Sequence, residues 1–188
     1  MYALDTIAAI ATPPGPGGIG IVRVSGGEAS GIAEQVFRRR GGGRWRSHQL
    51  YVGQLCADGV VLDAGMAVLM RAPHSYTGED VLELHCHGSP VVLERVLRAV
   101  LTFGARPARA GEFTKRAFLN GRLDLTQAEA VMALVGARTA DAAQVAASQL
   151  MGGLSARVAE IRERLVRARA HVEALLDFGD EDVGLDPA

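Results

Sequence analysis

Lysine is almost missing from this chain: Lys115 is the single one among 20 basic residues, and the rest are arginine. Cysteine is nearly as scarce. Cys56 and Cys86 alone cannot make a disulfide framework, and one bridge would be unusual in a reducing cytosol. Aromatic residues make up 5% of the 188 positions, with one tryptophan. No apolar run approaches the roughly 18 residues that a membrane span needs, so no membrane partner is expected. The opening Met1-Tyr2-Ala3-Leu4-Asp5 lacks the basic segment of a secretory signal. Neither sign of charge dominates, with 20 Lys+Arg against 21 Asp+Glu and a net charge of -1. That balance argues against a strongly basic nucleic-acid-coating surface and leaves room for a local patch. A soluble, cytoplasmic protein is the expectation.

What is present is unevenly spread. Residues 1–120 carry 13 basic and 10 acidic side chains, whereas residues 121–188 carry 7 and 11. The first part reads as strands mixed with helices. Thr6–Thr12 is a short apolar run closed by Pro13-Pro14-Gly15-Pro16-Gly17-Gly18, which suits a turn. Ile19–Val24 predicts a strand, and Glu28–Phe37 places Ile32, Ala33, Val36 and Phe37 at helical spacing. Arg38–Arg46 reads as a solvated loop rather than an RNA-binding box. Strands are expected at Gln49–Cys56, Val60–Leu62, Gly65–Arg71 and Val81–His87, and a helix from Pro90 through Leu101.

Past Asn120-Gly121 the strand pattern stops. Thr126-x-x-Glu129 predicts a capping box, with further helices at Ala140–Leu150 and, capped by Ser155, beyond Gly152-Gly153. In the last of these, Val158, Ile161, Leu165, Ala168, Val172 and Leu175 form a three-four repeat that calls for a covering helix. The fold class expected is therefore α+β, with a sheet-and-helix domain over residues 1–120 and an all-α segment over 121–188.

Several residues suggest chemistry. Gly15-Pro-Gly-Gly-Ile-Gly20 lacks the lysine of a nucleotide-hydrolysing loop and is followed by an apolar strand, so it reads as a strand-to-strand connection. On a strand His85 and His87 share a face while Cys86 points to the other, so with Cys56 and His74 they do not make a metal site. Glu83 lies mid-strand between Leu82 and Leu84. It is either a solvated carboxylate or, lining a pocket, an acceptor of two parallel N–H bonds from an arginine or a pterin edge. Arg23 carries the same two readings, surface cation or anion clamp.

Three long blocks carry a resemblance. Asp5-Thr-Ile-Ala-Ala-Ile-Ala-Thr-Pro-Pro-Gly-Pro-Gly-Gly-Ile-Gly-Ile-Val-Arg-Val-Ser25 is similar to the opening of the tRNA-modification GTPase family (MnmE/TrmE). Tyr76–Gly88 and Ala110–Val131 resemble that family as well, and Glu173–Asp182 resembles the stretch before its G domain. The resemblance implies an N-terminal domain like the tetrahydrofolate-binding aminomethyltransferases, which self-associates as a homodimer and binds 5-formyltetrahydrofolate or another one-carbon tetrahydrofolate. Position by position, it assigns the folate contacts to Arg23, Glu83 and Arg122, the last often lysine in the family, and it names no catalytic residue. It further implies a helical domain, an FAD-binding MnmG/GidA-type partner, and tRNA whose wobble uridine receives an aminomethyl or carboxymethylaminomethyl group. GTP, magnesium and potassium are implied only for a G domain, whose motifs do not occur before Ala188. An alternative expectation is a dimerisation and docking scaffold without functional folate binding.

Overall fold

The computed structural model describes residues 5–177. The opening Met1–Leu4 and the part of the Glu173–Asp182 stretch from Phe178 onward lie outside the described residues. The chain divides between Leu123 and Asp124 into two compact units.

The first unit is built on a seven-stranded sheet. Its strands are β1 (Thr6–Ile10), β2 (Gly17–Ser25), β3 (Phe37–Arg39), β4 (Leu50–Ala57), β5 (Val60–Met70), β6 (Val81–Gly88) and β7 (Ala105–Pro107). They lie in the order β3-β4-β5-β6-β2-β1-β7. All neighbours are antiparallel except β1 and β7. Alternation decides the faces. Val22, Val24, Leu82, Leu84 and Cys86 turn one way and are buried in a single core with Ala67, Leu69 and Leu55. Helices α1 (Ala29–Val36) and α2 (Pro90–Thr102) supply its other half through Ile32, Ala33, Val36, Leu93, Val96 and Val100. In α2, Leu93, Val96 and Val100 fall at the spacing of one helical face, and Pro90 sits in the first turn, where no N–H is needed.

Close approach fixes one strand crossing. A Cβ at Gly65 would collide with the carbonyl oxygen of His85, so a side chain there would push β5 from β6. A third helix, α3 (Glu112–Leu119), buries only Arg116 and Ala117.

Several elements of this unit depart from the sequence reading. β2 begins at Gly17, inside the glycine-proline stretch. β3 occupies the start of the expected Arg38–Arg46 loop. β5 runs unbroken from Val60 to Met70, because Asp63 and Ala64 stay paired to β4 beyond a bulge at Leu55/Cys56. α3 and β7 have no counterpart among the expected elements.

The second unit holds α4 (Leu125–Val135), α5 (Ala140–Leu150) and α6 (Gly153–Asp177). The capping box at α4 is formed by Asp124 and Gln127, two residues earlier than Thr126/Glu129: the Asp124 carboxylate accepts the Gln127 N–H, and the Gln127 side chain accepts the Asp124 N–H. Ser155 does not cap α6, which starts at Gly153; its hydroxyl bonds to Asp124 and to Thr126 instead. Ala130 and Ala146 are the buried residues of α4 and α5. α6 buries none, leaving Val158, Ile161, Leu165, Val172 and Leu175 exposed along one seam. Among the described residues no helix is long and apolar enough to cross a membrane.

Candidate functional site

The alternation that buries Val22, Val24, Leu82 and Leu84 places Arg23 and Glu83 on the opposite face of the sheet from α1 and α2. The β2–β6 register sets them directly across from each other. Arg23 Nε donates to Glu83 Oε1 at 2.8 Å, and Nη2 stands 2.7 Å from the same oxygen. The two side chains are 29% and 16% exposed, so the pair is reachable from solvent without being immersed in it. The guanidinium also stands 5.6 Å from the centre of the Tyr76 ring and 5.8 Å from that of Phe113, within cation–π range. Glu83 Oε2 faces His85 Nε2 at 3.5 Å, and that ring nitrogen makes no hydrogen bond.

Arg122 follows α3, and its Nε donates to the Ser75 carbonyl at 3.1 Å. Ser75 directly precedes Tyr76, so Arg122 meets the segment whose aromatic ring lies against Arg23. Gly78 lets that segment turn. Its φ is +78°, and a Cβ there would stand 3.1 Å from Asn120 Cβ and 3.2 Å from Arg122 Cγ. The Asn120 amide donates to the Thr77 carbonyl at 2.7 Å, and the Tyr76 and Thr114 hydroxyls bond at 2.9 Å. The structure therefore brings Arg23 and Glu83 into direct contact and ties Arg122 to the adjoining loop. Among the described residues Arg122 makes no ion pair.

Beneath this loop lies a charged network that sequence reasoning did not nominate. Arg116, only 1% exposed, donates to Asp5 Oδ1 at 2.7 Å, to the Asp5 carbonyl at 2.7 Å and to Glu79 Oε2 at 3.0 Å, and reaches Glu112 Oε1 at 3.4 Å. Arg106 bonds to Asp5 and, at 2.5 Å, to Glu112. Ser25 donates to Glu79 at 2.7 Å and shares a 2.6 Å bond with Thr77. The Arg106 hydrogen bonds outweigh burial and hold the Glu112 carboxyl down at about 2, helped by the Arg109 N–H. Arg106 likewise lowers Asp5. The network clamps the base of the loop carrying Tyr76, which leaves Arg23 and Glu83 a fixed wall to work against.

The His85-Cys86-His87 run is dispersed. Cys86 lies in the core, where burial pushes its thiol up to about 11. His87 is turned outward onto Asp63, with Nδ1 2.8 Å from Oδ1 and its N–H donating to Oδ2 at 2.7 Å. Among the described residues no group of three or more His, Cys, Asp or Glu is placed to hold a metal ion.

Residues 6–122 match the family model for the GTP-binding protein TrmE N-terminus, and residues 125–187 match the MnmE helical domain. The chain belongs to the MnmE/TrmE family. Relatives named tRNA modification GTPase MnmE include one from Geobacter sulfurreducens, 52% identical over 190 residues, covering 100% of this chain and 41% of the relative. Another, from Symbiobacterium thermophilum, is 53% identical over 178 residues, covering 93% of this chain and 39% of the relative. A third, from Natranaerobius thermophilus, is 46% identical over 185 residues, covering 97% and 40%. The chain thus spans about two fifths of the length of the MnmE relatives it matches. Arg23, Glu83 and Arg122 all fall within the stretch matched by the TrmE N-terminal model, as do Tyr76, Phe113 and Arg116.

Proposed function

We propose that this segment is the folate-binding, self-associating part of a tRNA-modification GTPase, with Arg23, Glu83 and Arg122 as the contacts for a one-carbon tetrahydrofolate. The observation that carries the reading is the Arg23–Glu83 pair on the sheet face away from the helices, bordered by the rings of Tyr76 and Phe113. The residues fit such a ligand chemically. A carboxylate accepts parallel N–H donors from a pterin edge, guanidiniums take the glutamate tail, and flat rings border a flat heterocycle. Bound there, the folate supplies a one-carbon unit. Glu83 holds the pterin, and Arg23 and Arg122 hold the folate with it through their guanidiniums, so that the three together present its one-carbon unit. In the full-length relatives' setting, GTP hydrolysis and an FAD-dependent partner complete the modification of C5 of the tRNA wobble uridine in the cytoplasm, and the segment dimerises.

A docking scaffold without folate binding is the competing reading, favoured by one observation: Arg23 and Glu83 already satisfy each other. Calorimetric titration of the chain with 5-formyltetrahydrofolate decides between them. Saturable binding that weakens at least tenfold in Glu83→Ala supports the folate site. Absence of heat with a folded, dimeric protein supports the scaffold.

A further inference from the structure

At the far edge of the same sheet, β3 carries Arg38 and Arg39, and the turn and loop after it carry Arg40, Arg44 and Arg46. Arg38, Arg40, Arg44 and Arg46 are exposed, and among the described residues none of them forms an ion pair. Arg39 is different. Its side chain is 8% exposed, and its guanidinium stands 4.8 Å from the centre of the Trp45 ring and 5.5 Å from that of Tyr51. Nη2 reaches Glu34 at 3.6 Å, whereas Nη1 is buried and makes no hydrogen bond. The Tyr51 hydroxyl pins the arginine loop to this cluster by accepting the Arg46 N–H at 3.0 Å and lying 3.3 Å from the Arg44 carbonyl. Arg38, Arg39 and Arg40 together line a cavity of about 430 Å³ with Gln54.

Charges on an edge strand protect it from pairing with another chain. That role accounts for Arg38 and Arg40. It does not account for cations continuing past the strand at Arg44 and Arg46, on a loop that the Tyr51 hydroxyl holds in place. Guanidinium forks match phosphate oxygens, and repeated unpaired cations along one edge suit a chain of phosphates better than a single one.

We propose that the Arg38–Arg46 edge is a contact surface for the phosphate backbone of RNA, with Arg38, Arg40, Arg44 and Arg46 as its exposed clamps and the buried side chain of Arg39, packed against Trp45 and Tyr51, as the support that holds their loop. The choice of RNA as the source of the phosphates rests on the tRNA-modification reading above. The site lies on a different strand from Arg23 and Glu83, so the two can fail separately.

The test is fluorescence anisotropy of a labelled tRNA transcript with the full chain across a salt series. Four phosphate contacts weaken binding by roughly 150-fold between about 50 and 200 mM salt, and two contacts by roughly tenfold. The R38Q/R40Q variant should show the smaller dependence and bind at least tenfold more weakly at about 100 mM salt. R95Q/R98Q, which removes the same charge from exposed positions on α2, should behave as the parent. Equal losses in both variants, or none in R38Q/R40Q, overturn the proposal. So does stoichiometric competition by inorganic phosphate at low millimolar concentration, which would make this a small-anion site. Titration with 5-formyltetrahydrofolate separates the readings: folate binding retained in R38Q/R40Q while its RNA affinity falls supports this surface, and RNA binding by the parent chain that takes up no folate overturns only the folate assignment.

Discussion

Replacing Arg116 by methionine should destabilise the first unit by about 3 kcal/mol. The side chain is wholly enclosed, and its guanidinium serves Asp5, Glu79 and Glu112 at once. Removing one member of a buried ionic cluster costs about 3–5 kcal/mol, because the remaining charges lose their compensation. Here Arg106 still holds Asp5 and Glu112, and Ser25 still donates to Glu79. Glu79, only 15% exposed, loses the Arg116 guanidinium, and the partners that the three carboxylates keep place the loss near the lower bound. A change of this size lowers the melting temperature by about 10 °C in a unit of this length. Trp45 is the only tryptophan and lies in the core of the first unit, so its fluorescence in a urea titration reports that unit selectively. A loss below about 1 kcal/mol, the range of an exposed ion pair, would refute the claim that the network is a buried clamp.

Acid should weaken the same unit in a defined window. The Glu112 carboxyl ordinarily titrates at 4.5 and is held at about 2 in the folded chain, so its contribution is complete above pH 4.5 and lost as pH falls towards 2. Arg106→Gln should flatten the pH dependence of the Trp45 unfolding midpoint over that range. Gly65→Ala, which sets a methyl group against the His85 carbonyl, should cost about 3 kcal/mol and broaden the amide resonances of β5 and β6. Gly78→Ala should cost about 1–2 kcal/mol from the left-handed backbone and weaken 5-formyltetrahydrofolate binding by displacing Arg122, measured by calorimetry.

The parts of the fold governed by alternating burial were legible in the residues. In β2 and β6 every second side chain enters the core, which is why Arg23 and Glu83 were readable as sharing an outward-facing role. The spacing left open whether either one binds anything, and only the resemblance joined them to Arg122. Helix α3 escaped because its buried residues are Arg116 and Ala117, so no apolar periodicity announces it. Its stabilisation is ionic and comes from Asp5 and Glu79, far away in the chain. β7 is three residues long and contains Pro107, a pattern that reads as a loop until the neighbouring β1 is known. The capping box was displaced because Asp124-x-x-Gln127 and Thr126-x-x-Glu129 are equivalent by pattern, and the start of α4 distinguishes them. Tyr76 and Phe113 stood inside the quoted motifs, yet a lone aromatic residue carries no positional signal of the cation it will stack on.

One guanidinium, that of Arg116, fastens the leading edge of the chain to the turn that ends at Asp80. Asp5 and Glu79 are its joint tenants, so trimming the protein at its front would slacken a hairpin-like lip far along the sequence.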